Sequence, residues 1–162
     1  LPNGTLMQLE VKHKFPYVER GRGGLFFGIN NGQLQVMQDL ARKGIKTLHM
    51  IMVKPIWDKQ RGTGYLLNRI GERKRVLLLA KLLDTPTLRQ IRERPSWQTG
   101  AEQSFTGTDR QKARYVNAAE FQLLGTLDDA VDDVAKNIRL AAMGELDQPV
   151  TEQMLYDSRI HP

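Results

Sequence analysis

Cysteine is absent from all 162 residues. That excludes disulfides, thiolate metal sites and a cysteine nucleophile, and it favours an intracellular setting. Long apolar runs are missing too. The longest, Val76 to Leu83, is interrupted by Lys81 and falls far short of the roughly 20 apolar residues that span a bilayer. No membrane partner is expected, and no secretory leader pattern opens the sequence. Histidine is scarce: His13, His49 and His161 stand without metal-ligand spacing. His49 falls in an apolar stretch and reads as a satisfied core residue; His13 reads as packing. There is no Gly-x-Ser-x-Gly elbow. The glycine-rich stretch Glu19 to Gly24 lacks the Gly-Lys-Ser/Thr ending of a phosphate-cradling P-loop. These absences remove several hydrolase classes.

Charge is present, and it is unevenly placed. The net charge is +6, but residues 1–95 carry +11 and residues 96–162 carry −5. A basic first part suits a polyanion, most simply nucleic acid, with DNA the expected form. The expected location is the cytoplasm or the nucleoid.

Periodicity divides the chain. Thr5 to Lys14 alternates as a strand, with Met7, Leu9 and Val11 on one face and Gln8, Glu10, Lys12 and Lys14 on the other. The apolar face is expected to bury. Pro2-Asn3-Gly4 before it is a tight-turn signal. Leu25 to Ile29 is a short strand or packed segment. Gln33 to Lys43 carries Leu34, Met37, Leu40 and Ala41 at helical spacing, with Gly44 as its stop. Thr47 to Val53 is a near-continuous apolar strand, buried on both faces. Strand, helix, strand makes a βαβ unit with a right-handed crossover, placing the two strands parallel and adjacent. From Leu66 onward the pattern reads as helical: Asn68 to Leu83, then Pro86 to Arg94 capped by Thr85, then Thr108 or Asp109 to Leu124. A fourth helix is capped by Thr126 and ends at Gly144, and a last one runs from Thr151 to Ser158. The two helices around Asp84-Thr85-Pro86 suggest a helix-turn-helix.

Glu10 and Lys12 are the residues that carry chemistry. On a strand, positions i and i+2 share a face, so a carboxylate and an ammonium project together. A carboxylate can hold Mg²⁺ through oxygen. A cation beside it can stabilise charge developing on a scissile phosphate. Exposed strands also contain Glu-x-Lys by chance.

Order and spacing add weight. The turn Leu1-Pro2-Asn3-Gly4, the strand ending Leu9-Glu10-Val11-Lys12, the helix opened by Gln33 and closed by Gly44, and the apolar strand Ile45 to Val53 follow one another. This arrangement resembles the PD-(D/E)xK nuclease superfamily, which includes restriction endonucleases, Holliday-junction resolvases and VRR-NUC-type nucleases. The resemblance covers residues 1 to about 55. It implies an α/β fold, a restriction-endonuclease-like mixed sheet over residues 1–64. A helical extension over 65–162 follows, basic to about 95 and acidic after. It also implies metal-dependent hydrolysis of DNA with Mg²⁺ or Mn²⁺. Glu10 would be the metal ligand and catalytic, Lys12 the catalytic cation, and Gln33 the residue that orients water, metal or phosphate. One departure stands out. The family's first acid lies upstream of the turn, where this sequence begins. Glu19 and Asp58 are candidate substitutes, and another chain of an oligomer or larger complex is a further source.

Around this core, Arg20, Arg22, Lys54, Trp57, Lys59, Arg61, Arg73, Lys74 and Arg75 are candidate nucleic-acid contacts. They combine phosphate-pairing cations with an aromatic able to stack on a base. Two alternatives accompany the nuclease reading. One is an inactive nucleic-acid-binding module of the same fold; the other is a structural component of a larger nucleoprotein complex.

Overall fold

The computed structural model describes residues 6–18, 23–58, 64, 68–98 and 112–161. Among the described residues, eight strands form two four-stranded sheets. The first sheet has the order β1 (Met7–Lys14), β4 (Lys46–Val53), β5 (Leu77–Leu83), β8 (Gln122–Thr126). The second has the order β2 (Tyr17–Val18), β3 (Leu25–Asn30), β7 (Lys112–Asn117), β6 (Ser96–Gln98). The described residues also form helices α1 (Asn31–Arg42), α2 (Thr85–Glu93), α3 (Val131–Met143) and α4 (Glu152–Ser158). The fold is therefore α/β with a mixed sheet. β1 pairs parallel with β4, as expected, whereas β4–β5 and β5–β8 are antiparallel.

Two apolar clusters flank the first sheet. The larger joins Ile51, Val53, Leu79 and Leu83 to Phe27 and Ile29 of β3, Met37 of α1 and Ile91 of α2. One face of the first sheet thus meets the inner face of the second sheet together with α1 and α2. The edge-on contact of Phe27 and Phe121, with ring centroids 5.4 Å apart, sits in this layer. The smaller cluster packs Leu48, Ala80 and Leu124 under Ala141 and Ala142 of α3.

This layering reverses the expected orientation of β1 except at Met7, which packs against the smaller cluster. Leu9 and Val11 lie outward, 56% and 53% exposed, while Gln8, Glu10, Lys12 and Lys14 face inward and are half-buried. The physical reason is position. β1 is an edge strand, and α3 packs over β8 and β5 rather than over β1. On the opposite face, α1 and β3 overhang β1, so its polar row receives the cover.

The helical reading of residues 68–83 and 109–124 is also corrected. Ile70–Arg75 is a short 3-10 helix, and Leu77–Leu83 is strand β5. Leucine favours helices on its own. A seven-residue leucine-rich run, broken only by Lys81 and flanked by β4 and β8, packs on both faces as a central strand. There is consequently no helix-turn-helix at Asp84. Residues 112–126 form β7, a 3-10 turn at Ala118–Glu120 and β8. Asn117 and Glu120 close that turn with a capping box, which the sequence offers as readily to a helix start. Both sheets draw strands from either side of residue 64.

Other boundaries shift slightly. The cap of α2 is Asp84, whose carboxylate accepts from the Thr87 N–H at 3.1 Å, and Thr85 is the first helical residue. Helix α3 begins at Val131, with Asp132 and Asp133 in its first turn where the dipole favours acids. Gly144 ends it in the left-handed conformation at φ 75°, as expected of a C′ glycine. Thr151 caps α4. Among the described residues no helix is long and apolar enough to cross a membrane.

Candidate active site

The inward face of β1 builds the site. Period-two alternation sets Gln8, Glu10, Lys12 and Lys14 in one row. The Lys12 ammonium lies 2.7 Å from Glu10 Oε1, with the side chains 32% and 21% exposed. Gln33, in the first turn of α1, donates its amide N–H to the same Glu10 oxygen at 3.3 Å. All three residues expected to be catalytic are thus brought together. Glu10 and Gln33 border an open cleft of about 360 Å³, and Lys12 reaches it through its pairing with Glu10. Gln8 and Glu10 form one wall; Asn30, Gly32 and Gln33 at the start of α1 form the other, above Val36 and Met37. Thr47 of β4 donates to Gln8 Oε1 at 3.1 Å and fixes that amide.

Two further polar residues belong to the row. The Lys14 ammonium donates to the Gly28 carbonyl on β3. Burial pushes its pKa down to about 8; the Lys12 charge adds to this and Glu10 opposes it. His49 of β4 stands beside Glu10 in register and is fully buried. The expectation of a satisfied core histidine is corrected, because neither ring nitrogen has a hydrogen-bond partner among the described residues. Burial, and then the charges of Lys14 and Lys12, lower its pKa to about 3, so the ring is neutral at physiological pH. On its other side lies Lys81 of β5. That ammonium is 3.3 Å from Glu120, which is gripped by Arg94 at 2.7 and 2.9 Å. Burial raises the Glu120 pKa, but the Arg94 bonds and the Lys81 charge outweigh it and hold the carboxyl below its usual range.

The remaining candidates scatter. Trp57 packs on the larger core cluster, its ring 5.5 Å from Tyr156 and under the Arg159 guanidinium at 4.6 Å. Both partners occupy the ring, which makes it a packing residue rather than a free stacking surface. Arg73, Lys74 and Arg75 lie on the 3-10 helix, where Arg75 donates to the Asp157 carbonyl at 3.1 Å. Lys54 follows β4, and its backbone N–H bonds the Lys14 carbonyl at 2.8 Å. Arg20, Arg22, Lys59, Arg61, Glu19 and the turn at residues 1–4 lie outside the described residues. Among the described residues, no three His, Cys, Asp or Glu side chains gather where they could hold a metal ion. Asp58 therefore does not complete a three-ligand set with Glu10.

The sequence signals Lys14 through its spacing from Glu10 and Lys12. It does not signal the contact of His49 with that row, which depends on the register between β1 and β4. Comparison with known proteins leaves the geometry to speak for itself: no protein-family model matches the chain, and no curated protein or solved structure matches it.

Proposed function

We propose that the cleft is a phosphodiester-hydrolysing site of the PD-(D/E)xK kind, acting on DNA with Mg²⁺ or Mn²⁺. The observation that supports this reading is that Glu10 and Gln33 face each other across the cleft in hydrogen-bond contact, with the Lys12 ammonium paired to the same Glu10 oxygen. The finer fold assignment, restriction-endonuclease-like, belongs to the same proposal.

The donor set fits a hard cation in part. The Glu10 carboxylate and the side-chain amide oxygens of Gln8 and Gln33 are oxygen donors on one cleft. Mg²⁺ takes one or two carboxylates and fills its remaining positions with water and substrate phosphate. Bound there, the ion would polarise the scissile phosphate and lower the pKa of a coordinated water. The chain's own residues supply the rest. Glu10 anchors charge at the cleft wall. Lys12, paired with Glu10, would counter the charge that develops on a phosphate oxygen. Gln33 can donate to a phosphate oxygen or orient water through its amide.

The experiment is cleavage of plasmid and branched DNA with Mg²⁺ or Mn²⁺, comparing the wild type with Glu10→Ala and Lys12→Ala. Each variant should lose at least about 100-fold in rate, the scale of removing one charge-stabilising group. Cleavage that survives both substitutions sinks the reading. A second reading, a binding module without activity, is favoured by the Glu10–Lys12 ion pair and by the lack of a three-ligand cluster among the described residues. It expects salt-dependent DNA binding with no cleavage, log affinity falling linearly with log salt.

A further inference from the structure

The outer face of the second sheet carries aromatic residues that the cleft does not use. Tyr17 of β2 pairs with Phe26 of β3, and Gly28 of β3 pairs with Tyr115 of β7. Alternation puts Tyr17, Phe26 and Tyr115 on one face, opposite the buried Leu25, Phe27 and Val116. Tyr17 and Tyr115 come from strands that are not neighbours, since β3 lies between them. Their rings nonetheless meet, with centroids 5.1 Å apart and planes tilted by 39°. The missing side chain at Gly28 makes room: a Cβ there would stand 3.2 Å from the Tyr115 ring. The pair is not part of the core, because Tyr17 is 51% exposed.

This face leads to the cleft. Phe26, Gly28 and Asn30 alternate along β3 on the same side, and Asn30 lines the cleft wall. From Gly28 to Asn30 the strand advances about 7 Å. The Lys14 ammonium reaches the Gly28 carbonyl, so the backbone beneath the two rings is tied to the strand that bears Glu10 and Lys12. The surface is therefore an aromatic platform adjoining a polar cleft, with Tyr17 and Phe26 drawn from the part of the chain that carries +11 and Tyr115 from the part that carries −5.

We propose that this face stacks the unpaired bases of a single-stranded nucleic-acid segment whose backbone runs into the cleft. The inference rests on the reading that the cleft takes a phosphodiester, and it names the substrate class as one with an overhang, flap or open branch. Bases stack on aromatic rings regardless of sequence, because every base has a π-face. The positive first part of the chain suits the strand's phosphates. The distance from platform to cleft is well within the roughly 4–16 nucleotides that single-strand-binding folds cover.

The test is fluorescence anisotropy in EDTA, which separates binding from cleavage. The probes are a fluorescein-labelled oligo(dT) of about 15 nucleotides and a blunt duplex of the same length. The wild type should bind the single strand more tightly. Tyr17→Ala and Tyr115→Ala should each weaken that binding about 5- to 150-fold, the range of one lost base stack. Tyr115→Phe, which keeps the ring, should bind as the wild type does. Equal affinity for the duplex, or unchanged single-strand binding in folded alanine variants, overturns the proposal. Should the alanine variants not fold, 5-iodouracil photocrosslinking of the wild type decides. Adducts at Tyr17, Phe26 or Tyr115 support the platform, and adducts confined to other residues overturn it. Single-strand binding that depends on the tyrosines, without cleavage, leaves the platform standing while the nuclease reading fails. Cleavage abolished by Glu10→Ala, with tyrosine-independent binding, does the reverse.

Discussion

His49 is the residue at which burial and charge oppose each other most directly. Its two ring nitrogens have no hydrogen-bond partner among the described residues, and Glu10, Lys12, Lys14 and Lys81 surround its position in the sheet. A buried polar group left unpaired costs about 1–3 kcal/mol. The sign of the pH effect follows from proton counting. In the unfolded chain the imidazole titrates near 6.5, and in the fold it stays neutral down to about 3. Between those values the unfolded state binds more protons, so stability is full above 6.5 and falls as the pH drops. From pH 7 to pH 5 this one group should remove up to about 2 kcal/mol. Urea unfolding at pH 7, 6 and 5 measures it. His49→Leu should flatten the slope, and an unchanged slope in that variant would exclude His49 as its source.

At the scale of elements, β1 shows how a strand's pattern and its placement can disagree. The alternation is correct, and so are the parallel pairing with β4 and the common face of Glu10 and Lys12. Which face buries is decided by neighbours. Helix α3 covers β5 and β8, leaving Leu9 and Val11 in solvent. Leu9→Thr should change stability by less than about 0.5 kcal/mol, as surface substitutions do. Leu48→Ala, on the same face one strand inward and fully buried, should cost about 2–5 kcal/mol. Denaturant melts of the two variants check the orientation directly. Comparable losses in both would mean that β1 turns its apolar row inward after all. Strand β5 carries a related lesson. A run of leucines specifies burial, but helix and strand both satisfy it, and the choice falls to the lateral partners β4 and β8.

Across the whole molecule, the joint between the two sheets matters most for the site. The cleft wall formed by Asn30, Gly32 and Gln33 hangs on β3 and α1, while Glu10 and Lys12 belong to the first sheet. Phe27 and Phe121 fill the space between the sheets and set their spacing. Phe27→Ala should cost about 3–5 kcal/mol. In whatever fraction remains folded, it should also weaken nucleic-acid binding, because Gln33 would lose its fixed distance from Glu10. Calorimetry and anisotropy on the same sample measure both effects. A large loss of stability with unaltered affinity would show that the cleft does not depend on this joint.

The sequence by itself determined what is local. It set the strands near 5–14 and 47–53 and the helix between them, its glycine stop, the last helix from Thr151, and the shared face of Glu10, Lys12 and Lys14. These follow from side-chain alternation, helical spacing and backbone freedom, all properties of residues a few positions apart. The tertiary structure decided what depends on distant partners. It turned the polar row of β1 inward, made strands of residues 77–83 and 112–126, stranded His49 without a hydrogen bond, and brought Tyr17 over Gly28 to Tyr115. None of these is encoded in a single window, because burial is a property of which surfaces meet. The same charged row that reads as solvated decoration in an isolated strand becomes a cleft wall once α1 and β3 lie across it.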